Sequence, residues 1–172
     1  PFKGIGNQGG IRRTKVEVKN NDSDAYIVLV NTKKQEEWAN YYDSQTGILT
    51  YFGDNRTPGK DIHDTKQKGN LALSRIFKNA ISNSSERIPP IFYFESIGTG
   101  SDVRFIGLAV PYAEGLKPSE LLVDALFETE GASFRNYIAK FTILNNVSIN
   151  REWLTDLKLN KQLESEYVPI EW

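Results

Sequence analysis

The residues best suited to chemistry are concentrated between positions 41 and 64, where aromatic rings, carboxylates, glycines and cations alternate. The aromatic and acidic members surround a Ser-Gln-Thr-Gly turn; they are Tyr41, Tyr42, Asp43, Tyr51, Phe52 and Gly53. Rings can stack on a flat ligand such as a nucleobase, and a carboxylate can accept a hydrogen bond from a ring or exocyclic N–H. This mixture predicts a binding site for such a ligand. The alternative interpretation is a half-buried hairpin whose tyrosines cover a sheet.

Cations are concentrated in the same half of the chain. The net charge is −1, but residues 1–78 carry 13 Lys and Arg against 9 Asp and Glu, whereas residues 79–172 carry 8 against 13. The overall charge therefore argues against a general polyanion binder. Two or three placed cations are enough to set the register of a protein on a phosphate backbone, and Arg12, Arg13, Lys15, Lys66 and Lys68 are the candidates. The alternative is that they are solvated surface charges.

Catalytic chemistry has little support in the sequence. His63 is the one histidine, and its Ile-His-Asp-Thr context favours a polar network or a backbone contact over a hydrolase site with Asp61 or Asp64. The chain has no cysteine, which excludes disulfides, thiolate catalysis and cysteine-bound zinc. Asp156 and Lys158 lack an upstream acidic partner for a metal-dependent nuclease. We therefore predict no catalytic residue, no metal and no cofactor.

The elements that must position these residues are mostly strands. Alternating or β-branched runs predict strands at residues 15–19, 25–30, 48–52, 91–95, 103–110, 121–128 and 134–144. Gly47 supplies the positive φ that the turn before residue 48 requires. Helices are predicted from Asn70, with Leu73, Ile76 and Phe77 on its apolar side, and from about Asn150. The sum is a strand-rich α+β domain with about seven strands and two main helices, a curved sheet or partly closed β-barrel.

Several short motifs resemble one known family. They are Tyr51-Phe52-Gly53-Asp54-Asn55-Arg56-Thr57-Pro58-Gly59, Ile62-His63-Asp64-Thr65, Gly69-Asn70-Leu71, the segment 102–111, the segment 134–144 and the closing Pro169-Ile170-Glu171-Trp172. Together they resemble the N-terminal recognition domain of modification-dependent restriction endonucleases of the AspBHI and MspJI type. The resemblance implies an SRA-like (PUA-like) fold, double-stranded DNA carrying a modified base as the partner, and a nuclease domain elsewhere in the parent protein.

A second resemblance suggests how the base would be held. SET-and-RING-associated (SRA) domains enclose a flipped 5-methylcytosine with a tyrosine, an aspartate and a later Thr-Tyr-x-Gly strand. Here Tyr41 or Tyr42, then Asp43, then residues 50–53 follow in that order. The resemblance implies stacking by Tyr51 and one of the two earlier tyrosines, with Asp43 accepting from the cytosine amino edge. The predicted DNA contacts are Arg12, Arg13, Lys15, Asp54, Asn55, Arg56, Lys60, His63, Lys68 and Asn70.

Length and composition set the remaining expectations. At 172 residues the chain is expected to be one domain, with residues 1–12 a flexible arm. No apolar run is long enough for a membrane span and no secretion signal is present, so a cytoplasmic location is expected. The absence of methionine indicates an excised domain or a product trimmed at its start. The competing functions are a reader of a phosphorothioate backbone or of 5-hydroxymethylcytosine, and a protein-interaction module.

Overall fold

The computed structural model describes residues 10–32, 37–98 and 102–172. Within them the strands are β1 (Ile11–Lys15), β2 (Asp24–Asn31), β3 (Tyr41–Asp43), β4 (Ile48–Phe52), β5 (Ile91–Ser96), β6 (Val103–Val110), β7 (Leu122–Thr129) and β8 (Ala132–Asn145). The α-helices are α1 (Gly69–Ile81), α2 (Pro118–Leu121) and α3 (Arg151–Lys158), and a 3₁₀ turn spans Ser85–Arg87. The strand-rich α+β class expected from the sequence is confirmed.

The eight strands form one curved sheet in the order β1-β2-β5-β6-β8-β4-β3, and β7 pairs with β8. β2 and β5 are parallel, and every other pair is antiparallel. β8 is the longest strand, with 14 residues. One of its edges pairs with β4, and its other edge pairs first with β7 and then with β6. The β3–β4 hairpin is therefore fixed against the centre of β8.

Two apolar clusters cover parts of the sheet. α1 presents Leu73, Ile76 and Phe77 to a cluster that includes Leu49 and Phe141, and the Phe77 and Phe141 rings are 5.1 Å apart. α3 closes the second cluster with Trp153, Leu154 and Leu157 around Phe92. The helical spacing of these residues gives each helix one apolar stripe, which the sheet buries. Among the described residues, no helix is long and apolar enough to cross a membrane.

The N-terminal region differs from the expectation. The first strand is Ile11–Lys15 rather than residues 15–19, because it pairs with β2 from Ile11 opposite Leu29 to Lys15 opposite Asp24. The register shifts after Thr14, and a turn with a positive φ at Asn20 follows. Ile11 and Arg12 consequently belong to the sheet and not to a flexible arm. Residues 1–9 of the predicted arm lie outside the described residues.

Candidate nucleic-acid interface

The register of the β3–β4 hairpin decides which side chains share a face. Tyr41 lies opposite Thr50 and Tyr42 lies opposite Leu49. Because side chains alternate along a strand, Tyr42, Leu49 and Tyr51 point toward α1, whereas Tyr41, Thr50 and Phe52 point to the other side. We call this second side the outer face of β3, β4 and β8. The predicted pocket is thereby divided between two sides of the sheet.

Tyr51 lies in the core and does not line an open pocket, so its predicted stacking role is wrong for this structure. Only 1% of the residue is exposed, and its hydroxyl donates to the carbonyl of Val30 at 3.5 Å. Burial raises the pKa of the Tyr51 hydroxyl far above its usual range. Tyr42 is half-buried on the same side, where its ring lies 5.9 Å from that of Tyr93. Both tyrosines therefore serve packing in this structure.

The outer face carries a cluster of aromatic rings that come from three parts of the chain. Phe127 and Phe134 are paired across β7 and β8 and stack with 5.6 Å between ring centres. Trp38 meets both rings edge-on, at 5.5 and 5.3 Å, and Phe52 lies 6.0 Å from Phe127. Phe134 is buried, whereas the other three rings are partly exposed. The cluster offers a ring surface on which a flat ligand can stack.

A cation and a strained backbone accompany this cluster. The guanidinium of Arg56 lies 5.4 Å from the centre of the Trp38 ring, a cation–π geometry. Burial lowers the pKa of Arg56 from its usual range. Trp38 has a φ of 53°, which is rare for a bulky side chain. The backbone strain at Trp38 is held by the packing of its ring, and such strain is typical of functional sites.

Polar groups continue the outer face away from the rings. Tyr41, Thr50 and Lys140 form one row across β3, β4 and β8, and the ammonium of Lys140 donates to the Thr50 hydroxyl. Tyr41 is 63% exposed, so its ring is accessible. Asp43 pairs with Ile48, four residues from Phe52, which places it about 13 Å along the strand from that ring. One base therefore cannot contact both the Asp43 carboxylate and the Phe52 ring.

Asp43 has a structural role at the hairpin turn. Its carboxylate accepts from the backbone N–H of Gln45 at 2.9 Å and from the hydroxyl of Thr46 at 2.8 Å. The backbone hydrogen bond from Gln45, followed by the hydroxyl bond from Thr46, lowers the pKa of Asp43. These bonds form an Asx turn, and Gly47 follows with a φ of 73° as the sequence predicts. Each carboxylate oxygen retains a lone pair for another donor.

Asp54 and Asn70, both predicted to contact DNA, instead join the following loop to α1. The Asp54 carboxylate accepts from the backbone N–H groups of Gly69 and Asn70, at 2.9 and 2.8 Å, and from the Thr65 hydroxyl at 2.8 Å. A carboxylate at this position satisfies the free N–H groups of a helix N-terminus and complements its dipole. The Asn70 side chain, which is fully buried, accepts from the backbone N–H of Asp54. These contacts give both residues a structural role; Asn70 is too deeply buried to contact DNA, and the DNA contact predicted for the half-buried Asp54 stays a prediction.

Asn136 forms the centre of this buried network. Its amide group donates to the carbonyl of Gly53 at 3.0 Å, and its oxygen accepts from the Asn70 side chain at 2.9 Å and from the backbone N–H of Asn55 at 3.3 Å. The Asn55 side chain donates to the carbonyl of Arg135 at 2.8 Å. Gly53 has no room for a Cβ between Asn70 and Asn136. Asn55 and Gly53 are thus structural, which corrects their predicted places in the interface.

The predicted phosphate contacts are largely engaged with acidic neighbours. Arg13 makes a bidentate ion pair with Asp24, and its Nη2 atom lies 2.9 Å from a carboxylate oxygen. Lys15 contacts Asp24 at 3.4 Å and also Asp22, and the exposed Lys68 lies 3.2 Å from Asp64. The Lys15–Asp22 and Lys68–Asp64 pairs are exposed, and such pairs are weak and can be exchanged for a phosphate, whereas the side chains of Arg13 and Asp24 are only 12% and 11% exposed. Their predicted role in binding DNA remains a prediction, as does that of the exposed Lys60 and the half-buried Arg12.

His63 belongs to a small polar cluster on the α1 side. Its Nε2 atom is 3.0 Å from the hydroxyl of Tyr137, and its backbone N–H donates to Asp61 at 2.8 Å. Partial burial raises the pKa of the Tyr137 hydroxyl. These contacts match the polar network that the sequence favoured over a hydrolase site. Among the described residues, no group of three or more His, Cys, Asp or Glu side chains is placed to hold a metal ion.

Sequence reasoning missed the rings and the lysine of the outer face. Trp38, Phe127, Phe134 and Lys140 are distant in sequence from the hairpin, and strand pairing brings them together. One signal was available: Phe127 and Phe134 are symmetric about the Thr-Glu-Gly-Ala turn that joins β7 to β8. A hairpin with that turn pairs the two rings on one face. No comparable signal identifies Trp38.

Residues 2–172 match the protein family described as "Restriction endonuclease AspBHI N-terminal". Among solved structures, the DNA modification-dependent restriction endonuclease AspBHI is 37% identical, with a TM-score of 0.88; the match covers 98% of this chain and 76% of that one. The DNA recognition domain of the cytosine modification-dependent restriction endonuclease LpnPI is also 37% identical, with a TM-score of 0.79, covering 90% of this chain and 69% of that one.

A third structure shares the fold at lower identity. The MspJI restriction endonuclease in complex with a 27-mer oligonucleotide is 18% identical, with a TM-score of 0.73, and the match covers 98% of this chain and 41% of that one. A comparison with curated proteins gave no significant match.

Proposed function

Because this chain belongs to the restriction endonuclease AspBHI N-terminal family, we propose that it binds duplex DNA containing 5-methylcytosine and flips the modified base onto the aromatic outer face. The chain is a DNA recognition domain of modification-dependent restriction endonucleases. Its relative LpnPI is described as a cytosine modification-dependent restriction endonuclease. The observation that carries the proposal is the partly exposed ring cluster of Trp38, Phe52 and Phe127 beside Arg56.

The energetics of a flipped base suit this face. Extruding a base from a duplex costs a few kcal/mol, and stacking on an aromatic side chain returns about 1–3 kcal/mol per base. Trp38 and Phe52 supply stacking surface, and Arg56 adds a cation that can face a phosphate or a base. Stacking alone therefore nearly offsets the flipping cost, and hydrogen bonds to the base must supply the remainder.

The polar row next to the rings provides those hydrogen bonds. Lys140 can donate to the O2 or N3 acceptor of cytosine, and the Thr50 hydroxyl can accept from the N4 amino group. Tyr41 stands in the same row with an exposed ring that can close the slot from the β3 side. Asp43 would accept from the amino edge only in an alternative placement, in which the base stacks on Tyr41, two residues away along β3, instead of on Phe52.

Recognition of the methyl group would come from apolar contact. Rings on the outer face can enclose a methyl carbon, and one methyl-sized group in an apolar pocket is worth about 1–3 kcal/mol. We expect a preference for 5-methylcytosine over cytosine of about 10- to 200-fold, in line with that energy. In this proposal the chain recognises the DNA, and a separate nuclease domain of the parent endonuclease cleaves the strands.

The test is a binding titration with matched duplexes. Fluorescence anisotropy at about 0.1 M salt would compare duplexes carrying cytosine, 5-methylcytosine, 5-hydroxymethylcytosine or a phosphorothioate in randomised flanks. Tighter binding of the 5-methylcytosine duplex supports the proposal, and 2-aminopurine placed opposite or beside the modified base would report flipping. A preference for sulfur would move recognition to the backbone, and no binding to any duplex would contradict the proposal.

Two variants locate the site. Trp38→Ala removes the ring beneath Arg56 and is expected to reduce the preference for the modified duplex by at least fivefold, from the lower limit of about 1 kcal/mol for one stacking contact. Tyr51→Phe removes only a buried hydroxyl and is expected to leave that preference unchanged. If Tyr51→Phe instead lowers the preference for the modified duplex and Trp38→Ala leaves it unchanged, the base is held on the α1 side and the outer-face site is wrong.

A further inference from the structure

A polar cleft lies beside α1, on the side of the sheet opposite the outer face. It has a volume of about 820 Å³ and lies between α1, residues 22–24 and residues 82–89. Arg75 and Lys78 line it from α1, and Arg87 lines it from the 3₁₀ turn. The proposed recognition of a flipped base uses none of these residues.

Arg75 and Lys78 make no ion pair within the described part of the chain. Both are exposed, and they are three residues apart on α1. Side chains at this spacing lie on the same side of a helix, with Cβ atoms about 5–6 Å apart. They therefore present two neighbouring positive charges to the cleft.

The exposed carboxylate of Asp22 marks the place where further cations converge. Its side chain is 90% exposed and lies 3.1 Å from the Lys15 ammonium. A hydrogen bond and the charge of Lys15, and then the charges of Arg13 and Arg75, lower the pKa of Asp22. Three cations thus favour a negative charge at this point. Because an exposed ion pair contributes little stability, an anionic group from outside the chain can take the place of the Asp22 carboxylate.

Positive charge exceeds negative charge in and around the cleft. The cations are Arg13, Lys15, Arg75, Lys78 and Arg87, and the carboxylates are Asp22, Asp24 and Glu86. Asn79, Ser84 and Asn160 add amide and hydroxyl groups to the lining. Basic, hydroxyl and amide side chains are the ones that contact phosphate oxygens in protein–DNA complexes. The lining therefore matches a phosphodiester backbone.

We propose that this cleft binds the phosphate backbone of duplex DNA and does not read the bases or their modification. One phosphate would replace the Asp22 carboxylate beside Arg75, and a neighbouring phosphate would contact Lys78. Phosphates of one strand are about 3.4 Å apart along the duplex axis, a step that the spacing of the two cations can follow. This contact goes beyond the proposed function, because the cleft and the outer face lie on opposite sides of the sheet. The backbone belongs either to a flank of the duplex whose base is bound or to a second duplex.

Anisotropy titrations of a double variant test this contact. The chain and its Arg75→Ala/Lys78→Ala variant would each be titrated, at several salt concentrations, with matched duplexes carrying cytosine or 5-methylcytosine. Loss of two phosphate contacts predicts at least about tenfold weaker binding of both duplexes at about 0.1 M salt. The slope of log affinity against log salt concentration should become less steep by about two. Asp22→Asn removes the competing carboxylate and should strengthen the binding of both duplexes by up to about fivefold.

The matched control is an Arg104→Ala/Arg151→Ala variant. It removes the same charge from two exposed arginines that do not line the cleft. Charges away from the contact are screened at this salt, so either affinity should change by less than about threefold. Alanine is tolerated at exposed helical positions, and circular dichroism would check that both double variants remain folded.

The outcomes separate this proposal from base recognition. Unchanged affinity and salt slope in the Arg75→Ala/Lys78→Ala variant, or an equal loss in the control, would overturn the cleft proposal. A loss confined to the 5-methylcytosine duplex would also overturn it, because these cations would then act on the modified base. The ratio of the two affinities in the unchanged chain tests base recognition by itself, so either proposal can fail without the other.

Stoichiometric titration identifies the source of the backbone. One duplex bound per chain indicates a flank of the duplex whose base is bound. Two duplexes per chain, reduced to one in the Arg75→Ala/Lys78→Ala variant, indicate a second duplex.

Discussion

Replacing Asn136 with alanine should destabilise the fold strongly, although no direct contact with DNA is proposed for this residue. The substitution removes three hydrogen bonds to neighbouring segments: to the Gly53 carbonyl, to the Asn55 backbone N–H and to the Asn70 side chain. Asn136 is 2% exposed, so solvent does not replace these bonds. At about 1 kcal/mol for each group left without its partner, the loss is about 3 kcal/mol.

This loss is large compared with the total stability of a domain, which is about 5–15 kcal/mol. Urea unfolding at neutral pH should show the midpoint shift, and the melting temperature should fall by about 6–12 °C for a chain of this size. The matched control is Asn79→Ala. Asn79 makes one long bond, of 3.3 Å, to the carbonyl of Arg87 on the exposed side of α1, and its loss should cost less than about 1 kcal/mol.

A loss below about 1 kcal/mol for Asn136→Ala would refute this reasoning, because water would then have entered the site and satisfied the three groups. The same variant has a consequence for the interface. The network fixes the loop that carries Arg56 over Trp38, so its disruption should weaken DNA binding through the position of the loop. Addition of the 5-methylcytosine duplex should then restore part of the lost stability by mass action.

Three further predictions concern the hairpin and its loop. Gly53→Ala should destabilise the domain by about 2 kcal/mol, because the added Cβ meets the side-chain oxygen of Asn70. Urea unfolding measures the loss of stability, and an unchanged midpoint would show that the Asn70–Asn136 network can move to accept the Cβ. Because burial raises the pKa of the Tyr51 hydroxyl, the neutral tyrosine contributes its full stabilisation of the fold below 10.0, the pKa in the unfolded chain. As pH rises above 10.0, this contribution to the free energy of unfolding falls by about 1.4 kcal/mol per pH unit. Unfolding at pH 9 and pH 11 should show this loss, and Tyr51→Phe should reduce it; an equal loss in both proteins would contradict the assignment. The backbone N–H of Gln45 lowers the pKa of Asp43, so the ionised carboxylate stabilises the fold fully above the unfolded pKa of 3.8, and this stabilisation is lost as pH falls through the lower folded pKa. An NMR titration of the Asp43 carboxyl measures this pKa, and a value at or above 3.8 would exclude the turn bonds.

The amino-acid sequence by itself determined the local elements and the family. The Ser-Gln-Thr-Gly turn with its glycine at positive φ, the apolar stripe of α1 and the α3 start at Asn150 all follow from short-range rules, and the structure confirms them. The ordered motifs from Tyr51 to Trp172 identified the AspBHI type, which the family match confirms. These features depend on neighbours within a few residues, and a linear pattern records them.

The tertiary structure decided which side chains face outward. The loop of the hairpin sets a register in which Tyr41 and Tyr51 lie on opposite sides of the sheet, and the packing of α1 then buries Tyr51. The polar residues of the loop were candidates for binding because their type suits both a ligand and a buried network. Asn136, more than 60 residues away from Asn70, decides between these roles, and only the folded chain brings them within 2.9 Å.

The ring cluster was decided in the same way. Trp38, Phe52 and the Phe127–Phe134 pair are separated in sequence, and β8 joins them because β4 pairs with one of its edges and β7 with the other. Sequence periodicity shows that each strand has two faces, but it does not show which strands become neighbours. Long-range pairing is a property of the whole sheet, and for that reason the outer face became visible only in three dimensions.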